Sequence, residues 1–247
     1  KMVGREISHV FPPKRETFGE TVLELNRVST NRVSEISFSL RKGEVLGIAG
    51  LVGSGRTEVL QSIFGIDRIE SGYIKLDGEQ VRWHSPRSAI AAGVGLVPED
   101  RRSQGIVALR SVAENLSLSW AGRTQKFGWR KKLMPLVSHY IDRMRVKTPS
   151  AEQLIGLLSG GNQQKVIVSR WLATEPKVLL MDEPTRGIDV GAKSEMYSLI
   201  DSLAREGLAI LLVSSEMTEI LGLADRVLVM REGSVAGELS GDAGEED

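Results

Sequence analysis

The run Gly50-Leu51-Val52-Gly53-Ser54-Gly55-Arg56-Thr57 has the composition of a phosphate cradle. Its glycines let successive backbone N–H groups close around phosphate oxygens, a following helix adds the positive end of its dipole, and Thr57 places a hydroxyl where Mg²⁺ would sit. One position departs from the phosphate-loop pattern: Arg56 stands where lysine is expected. Lysine presents a compact charge between terminal phosphates, whereas a guanidinium is longer, planar and forked. The expectation is that some phosphate affinity survives while placement of the transition state suffers.

Two further segments strengthen this reading. Val178-Leu179-Leu180-Met181 is an apolar run that ends in Asp182 and Glu183. Asp182 would hold Mg²⁺ through its water shell, and Glu183 would orient or polarise an attacking water. Two acids after a strand also describe a helix N-cap with a charged neighbour, so this segment alone decides little. Leu158-Ser159-Gly160-Gly161-Asn162-Gln163-Gln164 couples a serine N-cap to two glycines and a helix, a second anion-binding geometry. Ser159 stands 23 residues before Asp182. Three such motifs in this order are hard to reach by chance.

The elements that must position these residues follow from periodicity. Val22 to Leu25 and Val33 to Leu40 alternate apolar and polar residues and predict an antiparallel flap. Val45 to Ala49 is an apolar run ending in glycine, and Val59, Leu60, Ile63 and Phe64 then recur at helical spacing until Gly65. Tyr73 to Leu76 with Asp77-Gly78 reads as a hairpin, and Gly95 to Val97 as a short buried strand. Val178 to Met181 and Leu208 to Val213 are unbroken apolar runs, as parallel strands covered on both faces require. Between them Met196, Leu199, Ile200 and Leu203 share a helical face, with Asp189 as N-cap and Gly207 as stop. The fold class expected is α/β: a P-loop NTPase core with a mostly parallel sheet, an antiparallel β flap and an inserted helical subdomain.

Composition narrows the function. The 247 residues carry 32 basic and 32 acidic side chains, a balance that favours no polyanionic partner. There is no cysteine for disulfides or thiolate metal sites. No apolar run approaches the roughly 20 residues that span a bilayer, so any membrane connection is expected through a partner. His9, His84 and His139 lack metal-ligand spacing. Arg123, Lys126, Arg130, Lys131 and Lys132 around Trp129 read as a solvated helical face or one near anionic headgroups rather than a nucleic-acid site. Val107 to Leu118 could offer a groove to a partner's helix, although such spacing usually means subdomain core.

Taken nearly end to end, the chain resembles the ATP-binding cassette family, and within it the carboxy-terminal cassette of tandem proteins that energise import of ribose, galactose, xylose and similar sugars. The marks are Met2-Val3-Gly4-Arg5, Gly50 to Thr57, Glu99-Asp100-Arg101, Leu158 to Lys165, Asp182 to Lys193, and Ser214-Ser215-Glu216-Met217. The resemblance implies ATP and Mg²⁺ as ligands, with nucleotide sandwiched between the phosphate loop of one cassette and the signature of another. It implies catalytic roles for Glu183, Glu99 and Ser215, and nucleotide contacts from Gly50, Gly53, Ser54, Gly55, Arg56, Thr57, Leu158, Ser159, Gly160, Gly161, Asn162 and Asp189. Thr57 and Asp182 would hold the metal. Partners implied are the amino-terminal cassette of the same chain, membrane permease subunits and, indirectly, a periplasmic or extracellular sugar-binding protein, with no nucleic acid. The place implied is peripheral, on the cytoplasmic face of the bacterial inner membrane.

Departures from the general cassette pattern cluster on one half. Glu99 replaces a glutamine, Ser215 a histidine and Arg56 a lysine, and no aromatic lies between Leu25 and Ile36 to stack on adenine. The signature half departs only at Asn162, where glutamine is commoner. The chain's own site is therefore expected to be slow or silent. Domain boundaries read as an interdomain linker over 1–20, a nucleotide-binding core over 21–100 and 159–240, a helical subdomain over 101–158 and an acidic, disordered tail over 241–247. Two rivals stand beside the transport ATPase: a regulatory nucleotide-binding half without hydrolysis, and a nucleic-acid-associated cassette, which would carry a long heptad insert or a basic interdomain arm that the sequence lacks.

Overall fold

The computed structural model describes residues 11–121 and 129–240. Met2 to Arg5, His9, Arg123, Lys126 and the tail 241–247 lie outside the described residues, as do the side chains of Trp129, Arg130, Lys131 and Lys132.

Two sheets share one hydrophobic core. The larger has six strands: β3 (Val45–Gly50), β6 (Val94–Val97), β7 (Val178–Asp182), β8 (Ala209–Val213), β9 (Arg226–Arg231) and β10 (Ser234–Ser240), in the order β10-β9-β3-β8-β7-β6. All neighbours pair in parallel except β10, which runs antiparallel to β9 at one edge. Every residue of β7 and β8 is buried, which explains their unbroken apolar sequence. Each fully buried Leu or Ile there contributes about 1.5–3 kcal/mol of transfer free energy. The smaller sheet is antiparallel, in the order β2-β1-β4-β5, from β1 (Thr21–Ser29), β2 (Ile36–Arg41), β4 (Ser71–Leu76) and β5 (Glu79–Val81). The turn between β4 and β5 is Asp77-Gly78, both at positive φ (50° and 80°), as a tight hairpin requires.

Helices α1 (Arg56–Phe64) and α2 (Pro86–Ala92) precede β6, and α6 (Val190–Arg205) and α7 (Met217–Leu223) flank β8. Asp189 caps α6 by accepting from Ala192 N at 3.0 Å. Met196, Ile200 and Leu203 are buried under it, and Leu199 packs at the margin. Between β6 and β7 lie a π-helical turn over Arg101–Gly105, α3 (Val112–Ala121), α4 (Trp129–Arg143), a 3₁₀ turn over Ile155–Leu157 and α5 (Gly160–Leu172). Within the stretch considered as a groove for a partner's helix, Val112, Asn115 and Leu116 are fully buried, while Val107, Leu109 and Leu118 remain exposed. Asn115 is structural: it donates to the carbonyls of Val107 and Ser111, and its own carbonyl accepts from Arg170 Nε at 2.8 Å. Burial of Arg170 lowers its pKa to about 10.

The segment that enters the domain is tied down. Phe11 stacks on Tyr197 with ring centroids 4.9 Å apart. Arg15 pairs with Asp201 at 2.6 Å and Asp225 at 3.0 Å, and Lys14 donates to the carbonyl of Ala224 at 2.6 Å.

Candidate functional site

The loop between β3 and α1 is built on three glycines at positive φ. Gly50 (151°) could carry no Cβ, which would fall 2.6 Å from both the Met230 carbonyl and Ser54 Oγ. At Gly55 (102°) an added Cβ would press on Gly233 and Val33 at 3.1 Å. Gly53 (83°) faces open space with nothing within 4 Å, on the side where a ligand would approach. The open face belongs to a cleft of about 420 Å³ lined by Val52, Gly53, Arg56, Thr57, Glu99, Glu183, Arg186 and Ser215 among others.

Charged groups in this cleft are engaged with one another. Arg56 is 8% exposed. Its Nη1 donates to the Ser214 carbonyl at 2.7 Å, and its Nη2 lies 3.8 Å from Glu183 Oε1. The other Glu183 oxygen accepts from Ser215 Oγ at 3.1 Å. Glu183 sits at φ 47°, a strained left-handed conformation, and its N–H donates to the Val213 carbonyl. At the rim Arg186 forms an ion pair with Glu99.

Asp182 ends β7 and is buried beside Thr57. Burial raises its pKa to about 6, opposed by a hydrogen bond from Thr57 and supported by the charge of Glu183. Its Oδ1 has no hydrogen-bond partner, and neither has the buried Ser54 Oγ. Two buried polar atoms without partners, beside a glycine loop open on one side, fit a bound phosphate chain and a divalent cation that would complete them. Ser54 and the N–H groups of the loop would hold the phosphates, and Thr57 and Asp182 the cation.

The segment Leu158–Asn162 does not line this cleft. Ser159 occupies the N-cap position of α5 and is exposed, but its hydroxyl caps no backbone N–H; it accepts from Asn162 Nδ2 at 2.8 Å. Asn162 Oδ1 in turn accepts from Lys147 N at 2.8 Å. Gly161 packs on Ala192, where a Cβ would approach to 2.6 Å. Asp189 is committed to capping α6.

Of the residues that sequence reasoning assigned to the chain's own site, Gly53, Gly55, Arg56, Thr57, Glu99, Glu183 and Ser215 line this cleft, with Gly50 and Ser54 in the same loop and Asp182 buried beside Thr57. Sequence reasoning missed what holds them. Arg101 donates to the carbonyls of Arg186 at 2.8 Å and Gly187 at 3.0 Å and to Gln163 Oε1 at 3.2 Å, tying the π-turn to the loop after Glu183 and to α5. These partners are up to 86 residues away, and no local signal marks them.

The family described as ABC transporter matches residues 33–186. A ribose import ATP-binding protein of Mesorhizobium japonicum is 47% identical over 241 residues, covering 97% of this chain and 48% of that protein. A putative ribose/galactose/methyl galactoside import ATP-binding protein of Pseudomonas syringae is 49% identical over 243 residues, 96% of this chain and 46% of its own length. The chain thus spans about half the length of the curated relatives it matches. Among solved structures, a nucleotide-free ATP-binding cassette from an ABC transporter superposes with TM-score 0.79 at 21% identity, covering 90% of this chain and 92% of its own. A dimeric post-hydrolysis cassette bound to ADP and phosphate gives 0.75 at 19% identity, with 90% and 100% covered. At those identities the likeness concerns the fold alone.

Proposed function

The chain belongs to the ABC transporter family, and from that premise we propose that it is the carboxy-terminal nucleotide-binding cassette of a tandem sugar-import ATPase. In this reading it binds ATP with Mg²⁺ in its own cleft, turns it over slowly, and lends its signature segment to the site of an amino-terminal cassette. The permease subunits and an extracytoplasmic sugar-binding protein would be separate chains. The working place is the cytoplasmic face of the bacterial inner membrane; no helix among the described residues is long and apolar enough to cross a bilayer. The domain scheme of entering linker, core and helical subdomain is part of the same proposal.

The sugar-import part rests on the likeness to ribose import ATP-binding proteins, and the observation that carries the slow-site part is the direction of Arg56. A phosphate-loop cation serves by reaching the terminal phosphates, yet this guanidinium is spent on the Ser214 carbonyl and Glu183. Mg²⁺, when bound, supplies charge neutralisation at the phosphate oxygens. Asp182 and Thr57 would hold it, Ser54 and the loop amides would orient the phosphates, and Glu183 is the group that would polarise water. Glu183 instead accepts from Ser215 on one oxygen and faces the buried Arg56 guanidinium with the other, so both oxygens are engaged within the chain. Exposed Leu51, Val52 and Val190, 84–90% accessible around the loop and the start of α6, suit coverage by a partner cassette.

The test is nucleotide affinity and hydrolysis by the isolated chain, with Glu183→Gln as control. Weak binding and turnover far below ~1 per second are expected; micromolar-or-tighter affinity with turnover near that rate would refute the slow-site reading. Binding with no Glu183-dependent hydrolysis at all would select the regulatory rival. Retention of DNA or RNA on filters at physiological salt would select the nucleic-acid one.

A further inference from the structure

Glu219, in the first turn of α7, is 1% exposed, and four donors from three elements converge on its carboxylate. Thr185 Oγ1 and Tyr197 OH each lie 2.6 Å from Oε1, and Ser214 Oγ lies 2.8 Å from Oε2. Lys193 Nζ stands 3.5 Å from Oε1. A carboxylate removed from water needs such compensation, and here both oxygens receive it. Burial and the hydrogen bond to Glu219 also raise the pKa of the Tyr197 phenol, which keeps it a donor.

The donors are placed where the cleft is made. Thr185 follows Glu183 by two residues and also accepts the Ile188 N–H on its carbonyl. Ser214 is the residue whose carbonyl holds Arg56, and its hydroxyl also accepts the Glu216 N–H, just past Ser215. Glu183 itself sits in a conformation that persists only when its surroundings over-determine it. An anchor two residues away on one side and on the facing loop supplies that determination.

We propose that Glu219 is a positioning residue of the cleft, fixing Thr185 and Ser214 and through them the backbone of Glu183 and the carbonyl that directs Arg56. Its consequence for ligand binding rests on reading the cleft as a nucleotide site; its consequence for loop order does not.

The experiment compares Glu219→Gln, Thr185→Val and Thr185→Ser in the full 247-residue chain by hydrogen exchange and Mg-ATP calorimetry. Glu219→Gln and Thr185→Val are expected to speed exchange at the amides of 183–188 and 214–217 roughly tenfold, the loss of one hydrogen bond to a charged group. Exchange in β8 should stay as in the parent, and Mg-ATP affinity should fall several-fold. Thr185→Ser, which keeps the hydroxyl, should restore both readouts. Unchanged loop exchange in Glu219→Gln and Thr185→Val, or loosening spread evenly through β8, overturns the proposal. If Glu219→Gln does not fold, the Thr185 pair decides. A parent chain that binds no Mg-ATP sinks the nucleotide reading, and loop exchange then decides the positioning role alone.

Discussion

The phosphate-loop cleft and the signature segment are both helix N-termini with glycines, yet they are finished differently. In the cleft, Arg56 faces Glu183, which accepts from Ser215, and Arg186 pairs with Glu99, while the buried Ser54 Oγ and Asp182 Oδ1 lack partners. At the signature, Ser159 stands exposed at the start of α5 and accepts from Asn162, while Gly160 abuts the Arg101 guanidinium and buried Gly161 packs on Ala192. A site whose charges neutralise each other internally has less to offer a bound phosphate; a helix start with an exposed serine hydroxyl beside a guanidinium has more. The same motif vocabulary can thus mark a group that acts on its own chain's ligand or on a neighbour's.

The largest effect expected is at Gly50. Gly50→Ala puts a Cβ 2.6 Å from a backbone carbonyl at a φ of 151°, and should cost about 3 kcal/mol or more by chemical denaturation and abolish nucleotide binding. The corresponding change on the other half, Gly160→Ala, meets the Arg101 guanidinium at 2.6 Å and the Gly187 carbonyl at 3.2 Å but demands no left-handed backbone, so it should cost less, chiefly through the Arg101 hydrogen bonds it disturbs. Equal costs would erase the contrast in how the two ends are built.

Next comes Arg56. Arg56→Ala leaves buried Glu183 without its cation and the Ser214 carbonyl without its donor, and a loss of about 1–3 kcal/mol in the isolated chain is expected. Arg56→Lys with Ser215→His should raise hydrolysis in a paired assembly more than the sum of the single changes, because both groups would meet one γ-phosphate. Strict additivity would argue against a shared site.

Asp182 gives a pH signature. Its folded pKa is raised to about 6, above the ordinary 3.8, so the protonated form favours the fold and ionisation destabilises it as pH rises through about 6. Without metal, Asp182→Asn should therefore stabilise the chain at pH 8, on the order of 1–3 kcal/mol, and make little difference at pH 4. The Mg²⁺-dependent part of nucleotide affinity should strengthen from pH 5 to 7 and vanish in the variant. A metal dependence flat across that range would remove Asp182 from the cation site. The smallest effect is at the rim: Arg186→Ala breaks an exposed ion pair with Glu99 and should change stability by less than about 1 kcal/mol.

Much of this was legible in sequence because its signals are local. The apolar runs of β7 and β8, the Asp77-Gly78 turn and the Asp189 cap each depend on neighbours in the chain, and each is where its residues indicated. Boundaries suffered where a turn interrupts a strand-like pattern. Val33 and Ser34 read as strand, yet the Thr30 N–H bonds the Val33 carbonyl in a turn and β2 begins only at Ile36. In the site, residue types were readable and side-chain direction was not. The replacement of lysine by Arg56 showed in the sequence; that its guanidinium turns toward Ser214, 158 residues on, did not. Glu219 was invisible for the same reason, since three hydroxyls reach it from separate elements.

If the chain is the carboxy-terminal half of the tandem sugar importer proposed above, the most direct test is sugar-stimulated ATPase activity of that tandem protein with its permease, measured for Ser159→Asp and Arg56→Ala side by side. Aspartate at an exposed N-cap suits the helix, so Ser159→Asp should leave the fold intact while setting a carboxylate against a partner's γ-phosphate. The expected result is that Ser159→Asp removes most of the activity and Arg56→Ala removes little. Activity lost in Arg56→Ala and kept in Ser159→Asp would contradict the division of roles between the two halves.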